Sequence, residues 1–155
     1  MTYKIVFVCW GNICRSPMAE RMAEQASAES GLTGVEFTSA GVSDEERGNP
    51  IDSRAQQVLS AHGCRTGDHA AHKITAAEAE GADLIVCADE LHADRVRSLI
   101  NNSDHVRLLT DFDPDAEPGS GVPDPWYGED SGFDATWDAI AAAMPGIIDR
   151  ARSAH

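Results

Sequence analysis

The sequence has few basic residues and no long apolar run. Lys and Arg together number 12 in a chain of 155 residues, against 26 Asp and Glu, and the formal net charge at pH 7 is -14. Nucleic-acid binding requires a broad basic surface that contacts phosphates, and binding to anionic lipid requires a polybasic patch. We therefore expect neither nucleic acid nor a membrane surface as a partner. No apolar run approaches the roughly 18 residues that a membrane-spanning helix needs.

Cysteine is also scarce, with four residues in the chain. The apolar stretch at residues 5–9 is too short for the core of a signal peptide. Four cysteines without a secretory signal are typical of reduced thiols in a cytoplasmic protein, so no disulfide framework is expected. With 42% hydrophobic and 25% charged residues, the composition predicts a single soluble domain over residues 1–155. We expect a cytoplasmic monomer, although no sequence feature fixes the oligomeric state.

Apolar runs that suit strands alternate along the chain with patterns that suit helices. Ser16 is expected to cap the first helix, with Pro17 in its first turn. Strands that alternate with helices form a parallel sheet with helices on both faces. The predicted fold is therefore α/β, with a four-stranded parallel sheet. Strands are predicted at 4–9, 35–41, 83–89 and 106–110, and helices at 18–30, 52–62, 76–81, 90–100 and 133–152.

Residues 9–15 connect the first strand to the first helix and contain candidate catalytic groups. Ligands of open α/β sheets bind beyond the carboxyl ends of the strands, and a helix N-terminus at that edge favours an anion. Arg15 can bind two phosphate oxygens with its planar guanidinium group. Gly11 permits a tight loop, and Asn12 tolerates a left-handed backbone. A Cys9 thiol in this setting loses its proton easily and becomes a nucleophile, which predicts phosphoryl transfer.

The spacing of Cys9 and Arg15 is weak evidence by itself. The alternative is a buried cysteine at the end of a strand, with a solvated Arg15. The apolar strand before the loop and Ser16 and Pro17 after it favour the catalytic interpretation. Cys14 has two possible roles: a small buried hydrophobic residue, or the partner of Cys9 in a reversible disulfide that protects the nucleophile from over-oxidation.

A second candidate segment, residues 111–138, carries nine acidic residues and no Lys or Arg. A connection of this length is more often functional than incidental, although a solvated acidic loop is the alternative. General acid catalysis requires a carboxyl group on a mobile loop near the nucleophile, and Asp124, in the segment 111–132, could supply it. The other possibility is that Asp124 is an ordinary turn residue before Pro125.

The motif CWGNICRSPMAE at residues 9–20 resembles the signature of the low-molecular-weight protein tyrosine phosphatases. The similarity covers essentially the whole chain: SAG occurs at 39–41, Asp52 and Arg54 open the second helix, DLIVCADE occurs at 83–90 and DPWYG at 124–128. The resemblance implies hydrolysis of phosphotyrosine in a protein or peptide through a phosphocysteine intermediate. It also implies a phosphate-binding loop after the first strand, no metal and no organic cofactor.

The resemblance also assigns roles to individual residues. It implies that Cys9 is the nucleophile, that Arg15 binds the phosphate and that Asp124 is the general acid. It implies that Ser16 stabilises the thiolate and that Asn12 maintains the shape of the loop. His69 would support the loop, unless it is an ordinary exposed histidine, and Asp89 would face the site, cap the next helix, or do both. The residues expected to contact phosphate or substrate are Trp10, Gly11, Asn12, Ile13, Cys14, Ser16, Trp126 and Tyr127.

The aromatic residues of the expected cleft depart from the family pattern at Trp10 and Trp126. With Tyr127, they could enclose a phenyl ring, or Trp10 could simply pack against the rim of the loop. The cleft is also expected to repel acidic peptides, because acidic residues would surround it: Glu45, Asp124, Glu129 and Asp130.

Two other functions remain as alternatives. An arsenate reductase of the same fold would use the same oxyanion loop, but it requires a relay of further cysteines. Cys87 could begin a relay, yet residues 88–104 contain no cysteine to continue it, and Asp124 would have no task. A non-catalytic phosphate-binding module is the other alternative, and the presence of Cys9, Arg15 and Asp124 together argues against it.

Overall fold

Four parallel strands form the central sheet. The computed structural model of the protein describes residues 2–129 and 131–154, with the backbone alone at Tyr127. The strands pair in the order β2-β1-β3-β4, and every pair is parallel. The α/β fold that the sequence predicts is therefore confirmed. The strands are β1 (Tyr3–Cys9), β2 (Val35–Gly41), β3 (Leu84–Cys87) and β4 (Val106–Leu108).

The helices follow the strands in the expected alternation. The third and fourth strands are shorter than predicted. β3 ends at Cys87, two residues before Asp89, which caps the following helix. β4 ends at Leu108, where the chain turns at once into a 3-10 helix, Leu109–Phe112. A second 3-10 turn, Pro125–Tyr127, lies in the acidic segment. The helices are α1 (Arg15–Glu29), α2 (Ser53–Ala61), α3 (Ala76–Gly81), α4 (Glu90–Arg97) and α5 (Gly132–Ser153).

Helix α1 begins at Arg15, so the prediction that Ser16 caps it is wrong. Cys14 occupies the N-cap position, and its side chain makes no capping hydrogen bond. The reason lies in the preceding loop. Asn12 has a left-handed backbone with φ of 62°, which turns the chain sharply enough for the helix to start early. Ser16 thus lies inside the first turn, and its hydroxyl group is available to the site.

The sheet separates two hydrophobic cores, because alternate side chains of a strand point to opposite faces. Ile5 and Phe7 of β1 pack against α1, α2 and α5 on one face. Val6 and Val8 pack against α3 and α4 on the other. The helices therefore cover both faces, as predicted, and the strands between them are held rigidly. The carboxyl ends of β1, β2 and β3 lie together at one edge of this sheet.

Gly41 ends β2 directly beside the loop that leaves β1. A Cβ atom at this position would lie 2.7 Å from the carbonyl oxygen of Trp10 and 3.1 Å from the backbone nitrogen of Asn12. Both contacts involve backbone, which cannot rotate away as a side chain can. The next residue, Val42, donates its N–H to the carbonyl oxygens of Cys9 and Trp10, both at 3.0 Å. The absence of a side chain at Gly41 thus allows β2 to hold the loop close to the sheet.

Replacing this glycine is expected to disturb the loop and its function together. Gly41→Ala should lower the melting temperature by roughly 2–10 °C, because overpacking typically costs about 1–3 kcal/mol. The displaced loop should also reduce turnover of p-nitrophenyl phosphate by about tenfold. Thermal melts and initial rates measure the two effects. Gly67→Ala is the matched control, because a Cβ there meets no heavy atom within 4 Å. If both variants behaved alike, the close approach at Gly41 would not constrain the loop.

Candidate active site

The loop after β1 forms part of a cavity of about 280 Å³ at the carboxyl edge of the sheet. Cys9 and Arg15 in this loop are each 3% exposed. Three separate segments of the chain contribute to the lining, and most of its members are site residues that the sequence predicts. The lining residues are Cys9, Trp10, Gly11, Ile13, Cys14, Arg15, Glu45, Glu46, Asp124 and Trp126.

The sulfur of Cys9 is paired with a hydroxyl group. Cys9 Sγ lies 3.0 Å from Ser16 Oγ. The same oxygen accepts a hydrogen bond from Asn12 Nδ2 at 2.9 Å. Because Ser16 already accepts from Asn12, its own hydrogen is free to point at the sulfur. The hydroxyl group of Ser16 therefore suits the stabilisation of a thiolate.

Asn12 ties the loop to two neighbouring segments. Its side chain is fully buried, and its Nδ2 group donates a second hydrogen bond, at 3.0 Å, to Ser39 Oγ of β2. Its Oδ1 atom accepts from the backbone N–H of His72 at 3.1 Å. His69 Nε2 lies 2.7 Å from the carbonyl oxygen of Asn12. Burial lowers the pKa of His69 below its ordinary value, so its ring is neutral at pH 7.

A buried ion pair fixes the direction of these hydrogen bonds. Ser39 Oγ donates to Glu20 Oε1 at 2.8 Å, and Glu20 Oε2 lies 2.9 Å from Arg21 Nε. A carboxylate only accepts, so Ser39 gives its hydrogen to Glu20 and must accept from Asn12. The amide of Asn12 is thereby oriented with its NH₂ group towards Ser16. Sequence reasoning missed Glu20 and Arg21, because nothing in the helical pattern of α1 distinguishes them.

Arg15 lies between acidic groups from two other segments. Its Nη1 donates to Asp89 Oδ2 at 3.2 Å and to the carbonyl oxygen of Val122 at 2.8 Å. Its Nη2 lies 3.5 Å from Asp124 Oδ2. Asp89 also caps α4 by accepting from the N–H of His92 at 3.3 Å. Asp89 therefore caps α4 and contacts Arg15, and its predicted role in the site stays a prediction.

Asp124 reaches the cavity from a short stiff segment. Val122, two residues earlier, donates its N–H to the carbonyl oxygen of Ala88 at 2.8 Å. Asp124 Oδ1 accepts from the N–H of Trp126 at 3.0 Å. The prolines on both sides, Pro123 and Pro125, restrict the backbone further. The Asp124 side chain is 34% exposed, so its carboxyl group contacts both Arg15 and solvent.

Two tryptophans form walls of the cavity, and each contacts an arginine. Trp10 Nε1 donates to Glu45 Oε2 at 3.3 Å, and the guanidinium carbon of Arg95 lies 5.1 Å from the centre of the Trp10 ring. Trp126 is 44% exposed, and the guanidinium carbon of Arg54 lies 5.0 Å from the centre of its ring. Trp10 therefore both lines the cavity and packs at its rim.

The acidic surroundings of the cavity differ in part from the prediction. Glu45 and Asp124 line it as expected, whereas Glu129 is exposed and lies outside the lining. Glu46, which sequence reasoning missed, lines the cavity beside Gly11. The predicted contributions of Asp130 and of the Tyr127 side chain lie outside the described residues.

All four cysteines are free and buried. Burial raises the pKa of Cys14 well above its ordinary range, and the negative charges of Asp52 and Asp124 add to this effect. Burial likewise raises the pKa of Cys87, which has no exposed surface. Since the thiolate is the reactive form, Cys87 is poorly suited to begin a thiol relay. The reversible disulfide between Cys9 and Cys14 stays a prediction.

Neither a metal centre nor a membrane span is evident where the chain is described. Residues 2–129 and 131–154 contain no cluster of three or more His, Cys, Asp or Glu arranged to hold a metal ion. Within the same residues, the helices are too short or too polar to cross a bilayer.

His92 is a further residue that sequence reasoning missed. It is 1% exposed and lies behind the pair of Arg15 and Asp89. Its Nδ1 is 3.3 Å from Asp89 Oδ1 but lacks the alignment of a hydrogen bond. Burial and the charge of Arg15 lower the pKa of His92 to about 4, although Asp89 and Asp124 oppose the shift. At neutral pH the ring therefore adds no positive charge behind Arg15.

The buried His92 should make the protein less stable in mild acid. An unfolded histidine titrates near pH 6.5 and the folded one near pH 4, so only the unfolded chain binds this proton between the two values. The free energy of unfolding should therefore fall as the pH drops through that window. His92→Gln removes the titrating ring and should flatten this part of the profile. Urea midpoints at pH 7 and pH 5 measure it, and an equal loss in both proteins would contradict the prediction.

Comparison with known proteins agrees with this geometry. A family model described as low molecular weight phosphotyrosine protein phosphatase matches residues 4–153. Low molecular weight protein-tyrosine phosphatase A of Mycobacterium tuberculosis is 43% identical over 147 residues, which cover 94% of this chain and 89% of that protein. The human low molecular weight phosphotyrosine protein phosphatase is 32% identical over an alignment of 158 positions, which covers 97% of this chain and 96% of that protein.

The fold also closely matches that of a solved structure. The crystal structure of YfkJ from Bacillus subtilis superposes with a TM-score of 0.92 at 28% identity, covering 99% of this chain and 96% of that one. The likeness thus extends over the sheet, both helical layers and the loop after β1. From its matched residues and its shared fold, the chain belongs to the low-molecular-weight phosphotyrosine protein phosphatase family.

Proposed function

We propose that this protein hydrolyses phosphotyrosine in proteins or peptides through a phosphocysteine formed on Cys9. The observation that supports the proposal most directly is the convergence of a thiol, a guanidinium group and a carboxyl group on one cavity. These groups belong to Cys9, Arg15 and Asp124. Family membership supports the same reaction class, and the resemblance implies the roles of Cys9 and Asp124 in it.

In the first half of the reaction, the phosphate of the substrate binds to Arg15 and to the backbone N–H groups at the start of α1. The thiolate of Cys9, stabilised by Ser16, attacks the phosphorus atom. A bond forms between sulfur and phosphorus, and the bond between phosphorus and the phenolic oxygen breaks. Asp124 gives its proton to the leaving phenolate, so that tyrosine departs as a neutral phenol.

In the second half, Asp124 acts as a base and the sulfur of Cys9 becomes the leaving group. Asp124, now a carboxylate, takes a proton from a water molecule as that water attacks the phosphorus atom. The bond between phosphorus and Cys9 breaks, and the sulfur leaves as a thiolate. Inorganic phosphate is released, and both residues return to their starting states. Every proton and electron pair is thus accounted for by the chain and by water.

The walls of the cavity support an aryl substrate. The flat rings of Trp10 and Trp126 offer apolar surface of the kind that packs well against a phenyl ring. Glu45 and Glu46 contribute negative charge at the same cavity, which disfavours acidic residues near the phosphotyrosine. We therefore propose a phosphotyrosine substrate with basic or neutral neighbours.

The first test separates an enzyme from a phosphate-binding module. Cys9→Ser should abolish turnover of p-nitrophenyl phosphate and of a phosphotyrosine peptide while inorganic phosphate still binds, because the anion contacts Arg15 and backbone N–H groups. Arg15→Lys should lose both properties, since an ammonium group cannot reproduce the two-pronged contact. Initial rates and titration calorimetry measure turnover and binding.

Two outcomes would contradict the proposal. Turnover that persists in Cys9→Ser would exclude the phosphocysteine. A wild-type protein that binds phosphate without hydrolysing either ester would identify a binding module instead.

The second test concerns charge around the substrate. A phosphotyrosine peptide flanked by Lys should have a kcat/KM about tenfold above that of the same peptide flanked by Glu, a difference of roughly 1.4 kcal/mol. Exposed charge pairs contribute only about 0.2–1 kcal/mol each and are screened over roughly 8–10 Å, so several must act together. The preference should shrink in high salt and in the double variant Glu45→Gln, Glu46→Gln.

The control for this test is Glu80→Gln, which removes an exposed carboxylate of α3. It should leave the peptide preference unchanged. A preference that does not depend on salt, or a preference for the Glu-flanked peptide, would mean that the shape of the cavity selects the substrate.

A further inference from the structure

The segment that carries Asp124 is attached to the rest of the protein upstream of that residue. Val122 is buried and uses both of its backbone groups, since its N–H bonds Ala88 and its carbonyl oxygen accepts from Arg15. Gly121, with φ of 71°, packs so closely that a Cβ there would lie 2.8 Å from Asp89 Cβ. These contacts fix the upstream side of Asp124 against the end of β3.

Downstream of Asp124, Pro125 is buried near Gly132, and the ring of Trp126 makes a further contact that involves Arg54. The guanidinium carbon of Arg54 lies 5.0 Å from the centre of this ring and 4.6 Å from the centre of the Phe133 ring. Phe133 is fully buried in the first turn of α5. The cation of Arg54 therefore joins a ring of the core to a ring on the segment that carries the acid.

Arg54 is itself held in a fixed orientation. Its Nε and Nη2 donate to the two carboxylate oxygens of Asp52, both at 3.1 Å. Although burial opposes it, this pairing keeps the pKa of Asp52 below its ordinary value, so Asp52 remains ionised at neutral pH. Asp52 in turn donates its backbone N–H to the carbonyl oxygen of Ile13 at 2.9 Å. A continuous series of contacts thus runs from the phosphate-binding loop through Asp52 and Arg54 to Trp126.

We propose that Arg54 is a positioning residue, which sets the place of Asp124 relative to the phosphate-binding loop. The proposal rests on the proposed function, because it requires Asp124 to act as the general acid. Without Arg54, Val122 still holds the upstream side, but the ring of Trp126 loses its partner and Asp124 moves away from the leaving oxygen. Such a displacement matters, since about 1 Å of misplacement can cost on the order of 100-fold in rate.

The test uses two esters that differ in their need for a proton. The phenolate of tyrosine has a conjugate acid of pKa about 10 and leaves slowly unless it is protonated. The 2,4-dinitrophenolate ion is stable and leaves without a proton. Arg54→Gln should therefore lower kcat/KM for phosphotyrosine by about tenfold or more, and for 2,4-dinitrophenyl phosphate by less than about twofold. A purely structural role would lower both values alike.

A double-variant cycle isolates the coupling to the acid. Asp124→Asn removes the proton donor, so adding Arg54→Gln to it should cause no further loss on phosphotyrosine. Arg65→Gln is the matched control, because Arg65 contacts Glu24 through Nε and Nη2 in the same way but lies away from the cavity. Arg65→Gln should leave kcat/KM for both esters unchanged.

Trp126→Leu repeats the test from the other side of the contact. This change leaves the pair of Arg54 and Asp52 in place, so it serves even if Arg54→Gln folds poorly. Because the Trp126 ring also lines the cavity, kcat/KM should fall for both esters, and the loss on phosphotyrosine should exceed the loss on 2,4-dinitrophenyl phosphate by about tenfold.

The outcomes separate the two proposals. An equal loss on both esters, or an additive loss in the double variant, would overturn the positioning role of Arg54. A wild-type protein that is inactive on both esters would overturn the proposed function itself.

Discussion

The buried amide of Asn12 holds the geometry on which the rest of the site depends. A left-handed backbone at a residue other than glycine costs free energy, and here the hydrogen bonds of Asn12 to Ser16, Ser39 and His72 offset that cost. The same bonds join the loop to β2 and to the segment before α3. Because the amide is fixed, the loop curves tightly, α1 starts at Arg15, and the sulfur of Cys9 meets a hydroxyl group.

The phosphate-binding loop is locally positive, although the protein as a whole is strongly negative. A net charge of -14 repels a phosphate ester at a distance, so binding depends on a small local field. Arg15 and the N-terminus of α1 supply that field. Asp89 and Val122 hold the Arg15 guanidinium group in place, and His92 stays neutral behind it. The Glu20 and Arg21 pair lies on the far side of Asn12, where it orients hydrogen bonds without adding net charge.

The sequence predicts the parts of this structure that depend on neighbouring residues. Alternating apolar runs and helical patterns predict the sheet and its two helical layers, and the contiguous motif at residues 9–15 predicts the loop. The prediction that Ser16 caps α1 is wrong. The left-handed turn at Asn12 shifts the start of the helix, and that turn depends on the distant residues Ser39 and His72. Contacts between distant segments, such as those of Arg54 with Trp126 or of His92 with Asp89, have no pattern along the chain. They become visible only when the fold brings the segments together.

The segment around Asp124 is attached on both sides and stiffened by two prolines. A catalytic acid on a swinging lid must be carried into place in every cycle, and opening of the lid then sets the pace of product release. Here Val122 and Trp126 keep Asp124 at the mouth of the cavity before any substrate arrives. In the proposed reaction, such a site stays accessible to a phosphotyrosine displayed on a large folded protein, because the segment of Asp124 does not have to close around the rest of that protein.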